Sequence, residues 1–241
     1  MPELTWSWEF ARPDFFGRHE SLSTPQHVEL SDRQIFDALS PFSVSLTQAQ
    51  IRMIREYSSL LLKWNRSVSL TAITDLVEIV GRHFGESMYA SRLLPMENCR
   101  LVDIGTGAGF PGLALKIICP DIKLVLIESN KKKCAFLNEV VRVLGFTSVE
   151  IHAERFEQVR PESVQPNIIT SRAVGDFKRL IRWSKNALAR RGHLVLWVGS
   201  DDSTRIASTP GWVWQPAARI PDSQRRFLLI GRPTDSRGPE K

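Results

Sequence analysis

The spacing of apolar positions changes once along this chain, near Arg100. Ahead of that point Met53, Ile54, Tyr57, Leu60, Leu61 and Trp64 recur at helical intervals behind a Thr47 cap, which predicts an amphipathic helix. A shorter helix fits 31–39. Asp75 followed by Glu78 resembles a capping box and predicts a third helix over 76–94, with Ile79, Val80, His83, Phe84, Ser87 and Met88 on one side and Pro95 at its end.

From Arg100 the apolar runs become short and continuous, as expected of buried parallel strands. Residues 101–104 predict a strand, 105–109 a glycine turn, and 111–119 a helix with proline at its first position. Strand, helix and strand follow at 123–127, 130–144 and 149–152, and again at 167–170, 176–190 and 193–198, with Gly145 and Gly192 closing helices. The last apolar runs, 211–217 and 227–230, have no helix-length segment between them and are expected to pair as an antiparallel hairpin. Residues 1–27 mix Trp6, Trp8, Phe10, Phe15 and Phe16 with prolines and show neither period, which marks an irregular arm. The expected organisation is this arm, a helical cap over 28–98, a sheet domain over 99–233 and a tail over 234–241.

A chain of 241 residues, 42% hydrophobic, suffices for one substantial core. Its formal charge of +6 favours a polyanionic partner without demanding one. Cys99, Cys119 and Cys134 are an odd set in apolar stretches, so neither a disulfide framework nor a zinc site is expected. Acids among the N-terminal aromatics argue against a secretory signal, and no stretch is apolar enough to span a membrane, so a cytoplasmic protein is expected.

A strand feeding a glycine turn and a helix makes a cradle of backbone N–H groups that a ligand can approach closely. The stretch Asp103-Ile104-Gly105-Thr106-Gly107-Ala108-Gly109-Phe110-Pro111-Gly112 contains a formal dinucleotide fingerprint from Gly107 to Gly112. Three features oppose that reading. Glycine begins directly after Asp103-Ile104, which opens the turn; Asp103 would repel a pyrophosphate but suit a cationic amino-acid ligand; and the chain ends in a hairpin, not a second mononucleotide half. Glu128 closes the second strand, where a carboxylate can accept both hydroxyls of an adenosine ribose. Ala153 and Glu154 follow the third strand, positioned for an adenine and its amino group; alone, Glu154 reads more often as a solvated charge, and its place on the same sheet edge as Gly105 and Glu128 raises it.

Lys63-Trp64-Asn65, Leu70-Thr71, Arg82-His83, the glycine turn, Ala153-Glu154 and Ser171-Arg172-Ala173, in this order, closely resemble the bacterial 16S ribosomal RNA guanine-N7 methyltransferase family, also called glucose-inhibited division protein B. The match runs over about 46–230. The resemblance implies an α/β fold of the class I S-adenosylmethionine-dependent methyltransferase type, Rossmann-like. Its mostly parallel seven-stranded sheet would end in an antiparallel hairpin behind an N-terminal helical cap. It implies S-adenosyl-L-methionine as cofactor, with contacts at Gly105, Phe110, Ala153, Glu154 and Arg172, to which the reading of the turn and strand end adds Gly107 and Glu128, and it puts Trp64, Asn65, Thr71, Arg82 and His83 on the site-facing side of the cap. The implied substrate is 16S ribosomal RNA or the small ribosomal subunit, at guanine 527, and a monomer without metal is favoured. Four departures stand out: Ser69 for asparagine, Glu86 for aspartate, Val198-Gly199 without the preceding lysine, and Phe227 in place of the usual Arg-His-Leu ending near Arg225 and Arg226. None falls in the turn.

Guanine N7 offers a free lone pair, so its methylation requires positioning and no general base. Arg172, Arg82 and His83 are the candidate positioning residues, an arginine reaching guanine O6 or phosphate while N7 stays open to the methyl group. His83 shares a face with Val80 and Phe84, and packing is an equal reading for it. Lys131, Lys132 and Lys133, with Arg179, Arg182, Lys185, Arg190 and Arg191, are candidates for tracking an RNA backbone. Trp212 and Trp214 are expected to pack in the hairpin. Three other functions remain open: a methyltransferase of another RNA, a small molecule or a protein; a dinucleotide-dependent oxidoreductase; and a non-enzymatic RNA-binding protein.

Overall fold

The computed structural model describes residues 30–172 and 175–234. The aromatic arm and nearly all of the tail lie outside these. The chain begins with α1 (Asp32–Leu39) and α2 (Gln48–Asn65). Ser31 and Thr47 open them through capping boxes completed by Gln34 and Gln50.

The helical run expected over 76–94 forms in four pieces: α3 (Leu76–Ile79), a π-helical stretch at Val80–Gly85, α4 (Glu86–Met88) and a 3-10 turn at Tyr89–Arg92. In the π stretch the Glu86 N–H donates to Gly81 O, five residues back instead of four. The widened turn resets the helical face, and Glu86, Ser87 and Met88 are buried in succession. A strict 3.6-residue period puts no acid inside at this point.

The sheet is as expected in order and direction. β1 (Arg100–Ile104), β2 (Lys123–Ile127), β3 (Val149–His152), β4 (Ile168–Ser171) and β5 (His193–Gly199) are parallel, with β1 paired to both β2 and β4. β6 (Trp212–Trp214) and the two-residue β7 (Ala218–Arg219) precede β8 (Arg226–Pro233), the last strand in sequence but not in space. β8 inserts antiparallel against β5 and carries β6 on its outer side, giving the order β3-β2-β1-β4-β5-β8-β6 with β7 also on β8. The two final apolar runs thus pair antiparallel, and β7 adds an eighth strand to the expected seven.

The crossovers are α5 (Gly112–Ile118), α6 (Lys131–Val143), α7 (Pro161–Val164), α8 (Phe177–Ala187) and α9 (Ser200–Ala207). Pro111 caps α5 from outside instead of opening it. Periodicity did not predict α9, whose only buried side chains are Ser203 and Ile206. One sheet face packs against the cap helices, α5 and α6 around Tyr57, Phe84, Leu126 and Phe136, and the other against α8 and α9 around Val102, Ile169, Leu180 and Ile206. Trp212 and Trp214 stack at 5.2 Å and 17°. Among the described residues no helix is long and apolar enough to cross a membrane.

Candidate functional site

Because β1 to β5 run parallel, the residues that follow them share one edge of the sheet: 105–109 after β1, Glu128 after β2, Ala153 and Glu154 after β3, Arg172 after β4.

The glycine turn satisfies most of its own donors. The N–H groups of Gly105 and Thr106 donate to Ile127 O at 2.9 and 3.3 Å, and those of Gly109 and Phe110 to Thr106 O at 2.9 and 3.1 Å. Gly107 N–H donates to Glu128 Oε2 at 3.0 Å, while Asn130 N–H donates to Oε1 at 2.8 Å. The open cradle of donors expected from the sequence is therefore largely closed, and a pyrophosphate would find few free N–H groups here. What the edge offers instead is an acceptor, the Glu128 carboxylate, beside backbone with no side chain.

Asp103 also differs from expectation. It is fully buried: Thr106 Oγ1 and Gly112 N donate to Oδ2 at 2.5 and 2.9 Å, and Thr170 Oγ1 to Oδ1 at 2.8 Å. Rather than facing a cationic ligand, it fastens the turn to β4. Burial raises its pKa to about 6, against the bonds from Thr106, Gly112 and Thr170 and the charge of Arg172. A Cβ at Gly112 would lie 2.7 Å from Leu126 Cδ2 and 2.9 Å from Asp103 Oδ2, so only glycine allows this brace.

From the other side the cap grips the turn. Tyr57 Oη, fully buried, donates to Ala108 O at 2.6 Å. Gly109, at φ +88°, would place a Cβ 2.2 Å from Tyr57 Oη. Phe110 is sandwiched between His83, 4.9 Å away at 22°, and Tyr57, 5.2 Å away at 11°. Its ring therefore belongs to the cap contact, with 6% of the residue exposed.

His83 is packed, as one of its two readings held. Its Nε2 lies 2.7 Å from Thr71 Oγ1, and buried Nδ1 has no partner. Asn65 sets this up: its Oδ1 accepts from Leu70 and Thr71 N–H at 2.8 and 3.0 Å, and its Nδ2 donates to Thr71 O at 2.9 Å. Burial, then the charges of Arg172 and Arg82, hold the His83 pKa at about 3, so the ring is neutral at neutral pH.

A charge cluster that periodicity did not bring together lies next to it. Glu86, 2% exposed, meets Arg226 Nη2 at 2.8 Å, Arg172 Nη2 at 3.4 Å and Arg82 Nε at 3.5 Å. Arg82 also pairs with Glu78 at 3.0 Å, and Trp197 Nε1 donates to Glu86 O at 2.8 Å. Two acids face three guanidiniums, and Arg82 Nε, Arg172 Nη1 and Arg226 Nε are buried without hydrogen-bond partners. Glu86 and the Arg226 neighbourhood were visible only as departures from a motif. Ala153 and Glu154 stay open on the edge, with Glu154 Oε1 3.4 Å from His152 Nδ1.

A family model described as rRNA small subunit methyltransferase G matches residues 50–211. The chain belongs to this family. A ribosomal RNA small subunit methyltransferase G of Wolinella succinogenes is 36% identical, covering 79% of this chain and 94% of the relative. Its counterpart from Marinobacter nauticus is 32% identical, covering 83% and 94%. Among solved structures, a SAM-dependent methyltransferase from Aquifex aeolicus superposes with a TM-score of 0.53 at 14% identity, over 65% of this chain and 93% of its own. A ribosomal protein L11 methylase from Lactobacillus delbrueckii gives 0.52 at 12%, over 64% and 79%. In this rRNA small subunit methyltransferase G family member the fold is that of S-adenosylmethionine-dependent methyltransferases, and the matched span runs from α2 to the start of β6 and includes the whole glycine turn.

Proposed function

We propose that the chain transfers a methyl group from S-adenosyl-L-methionine to N7 of a guanine in 16S ribosomal RNA, at guanine 527 by the resemblance already described. The observation that carries the cofactor assignment is Glu128, whose carboxylate lies beside the glycine turn with both oxygens held by backbone N–H groups. An acceptor in a donor-poor turn fits a ribose and a sulfonium better than a pyrophosphate. The cofactor supplies an electrophilic methyl group. Glu128 accepts from the ribose hydroxyls, Gly105 and Gly107 give close backbone approach, and Ala153 and Glu154 border the adenine. Phe110 contributes through the turn it anchors, its ring being held by the cap.

On the reaction side, neutral His83 with a pKa near 3 is a poor general base, which suits an acceptor with no proton to remove. Arg172 and Arg82 orient the guanine through O6 or a flanking phosphate. Arg172 Nη1 and Arg82 Nε, buried without hydrogen-bond partners, support that role. Mass mapping of 16S ribosomal RNA from cells with and without the protein tests the proposal. One guanine should lose a base-labile methyl mark in its absence, and an unchanged map together with no methyl incorporation in vitro overturns it.

A further inference from the structure

Between α8 and α9 runs a cleft of about 660 Å³. It begins at Gly175 and Asp176, just beyond Arg172 in sequence, and follows α8 to Lys185 and Trp212. Lys178, Arg182 and Lys185 are spaced four and three residues apart, which puts them on one face of α8, and all three line the cleft. Among the described residues none of the three has an ion-pair partner, whereas Arg205 on the opposite wall pairs with Asp202 at 2.6 Å. The one acid in the lining, Asp176, is engaged: its carboxylate accepts from Arg179 N–H and pairs with Arg179 Nε, both at 3.1 Å. Phe177, Ile181 and Trp212 supply its apolar lining.

We infer that this cleft binds a single-stranded segment of the substrate ribosomal RNA flanking the target nucleotide. Phosphates lie on Lys178, Arg182 and Lys185, and a base or ribose lies against Phe177, Ile181 and Trp212. A row of unneutralised cations with an apolar lining is the composition single-stranded RNA requires, since its backbone is anionic and its bases are flat and apolar on their faces. The arrangement separates residues that sequence alone grouped together: Arg182 and Lys185 face the cleft, while Arg179 is tied to Asp176. The inference rests on the ribosomal RNA methyltransferase reading.

The test uses the full chain with K178A/R182A/K185A, measuring binding of protein-free 16S ribosomal RNA across a salt series and cofactor affinity by calorimetry. Three lost contacts should reduce the slope of log affinity against log salt by about 2 and weaken binding at least tenfold at low salt, with cofactor affinity unchanged. The charge-conserving K178R/R182K/K185R variant should retain the wild-type slope. Photocrosslinking of the wild type to the RNA should mark the peptide containing residues 177–185, which keeps the inference testable if the alanine variant folds poorly. Wild-type affinity and slope in the alanine variant, or no crosslink in that peptide, overturn it. Loss of binding to the assembled subunit alone, with protein-free RNA bound normally, also overturns it by pointing to a ribosomal protein. Should the wild type neither bind nor methylate the RNA, the functional reading itself has failed, a result distinct from failure at the cleft.

Discussion

Glu86 Oε1 lies 2.8 Å from Arg226 Nη2, joining the helical cap to the first residue of β8. Glu86 is one of the positions where the chain departs from its family's pattern, and Arg226 adjoins another, Phe227. The same carboxylate touches Arg172 and Arg82, so its removal takes the shared counter-charge from three guanidiniums. Breaking a wholly buried pair costs about 3–5 kcal/mol, but Arg82 and Arg226 are partly exposed and solvent screens them. Glu86→Gln should therefore cost about 2 kcal/mol, or about 4–8 °C in melting temperature for a chain of this size. Adding Arg226→Met should recover part of that loss. Strictly additive losses in the double variant would show that the contact carries no coupling.

Tyr57 offers a subtler test, because one hydroxyl connects the cap to the turn. Tyr57→Phe retains the stack on Phe110 but leaves buried Ala108 O without its donor, a loss of about 1–2 kcal/mol. The turn should loosen, and cofactor affinity should fall several-fold in calorimetry. Wild-type affinity in this variant would mean that the turn holds its shape without the cap.

The sheet was legible from the sequence because buried parallel strands read as short apolar runs and their helices as 3.6-residue stripes. β3, for example, has the predicted bounds. What escaped has physical reasons. The π stretch breaks the period on which the cap reading relied, so Glu86 is inside against expectation. α9 buries too little apolar surface to show a stripe. Asp103 read as a ligand carboxylate because a strand-end acid looks alike whether it faces outward or braces a turn, and only its three donors distinguish the two. The place of Glu128 at the end of β2 was legible, but its bond from Gly107 belongs to backbone geometry that no spacing encodes.

Glu128 is the most direct probe of the cofactor proposal. Glu128→Ala removes the proposed ribose acceptor and also frees the Gly107 and Asn130 N–H groups. A hydrogen bond to a charged group contributes about 1.5–3 kcal/mol, which corresponds to roughly a ten- to hundredfold loss of cofactor affinity. Glu128→Gln retains one acceptor oxygen and should fall between. Ribosomal RNA binding without cofactor should be unchanged in both, and equal cofactor affinity across the three proteins would remove Glu128 from the site.

The buried titratable pair beside the turn gives a pH signature of opposing signs. His83 has a pKa of about 3 in the fold against 6.5 unfolded, so between these values the unfolded chain binds a proton that the native state refuses. Its contribution to stability is complete above 6.5 and is lost as the pH falls toward 3. Asp103 runs the other way, since its native pKa of about 6 exceeds the unfolded 3.8 and its contribution, present below 3.8, disappears as the pH rises through 6. His83→Phe removes the first effect and leaves the second. The melting temperature of the variant should therefore improve relative to wild type as the pH drops from 7 to 5, where the imidazole penalty grows only in the wild type. Parallel melting curves across that range would mean that His83 titrates as an exposed histidine does, and that its ring is not held neutral between Thr71 and Phe110.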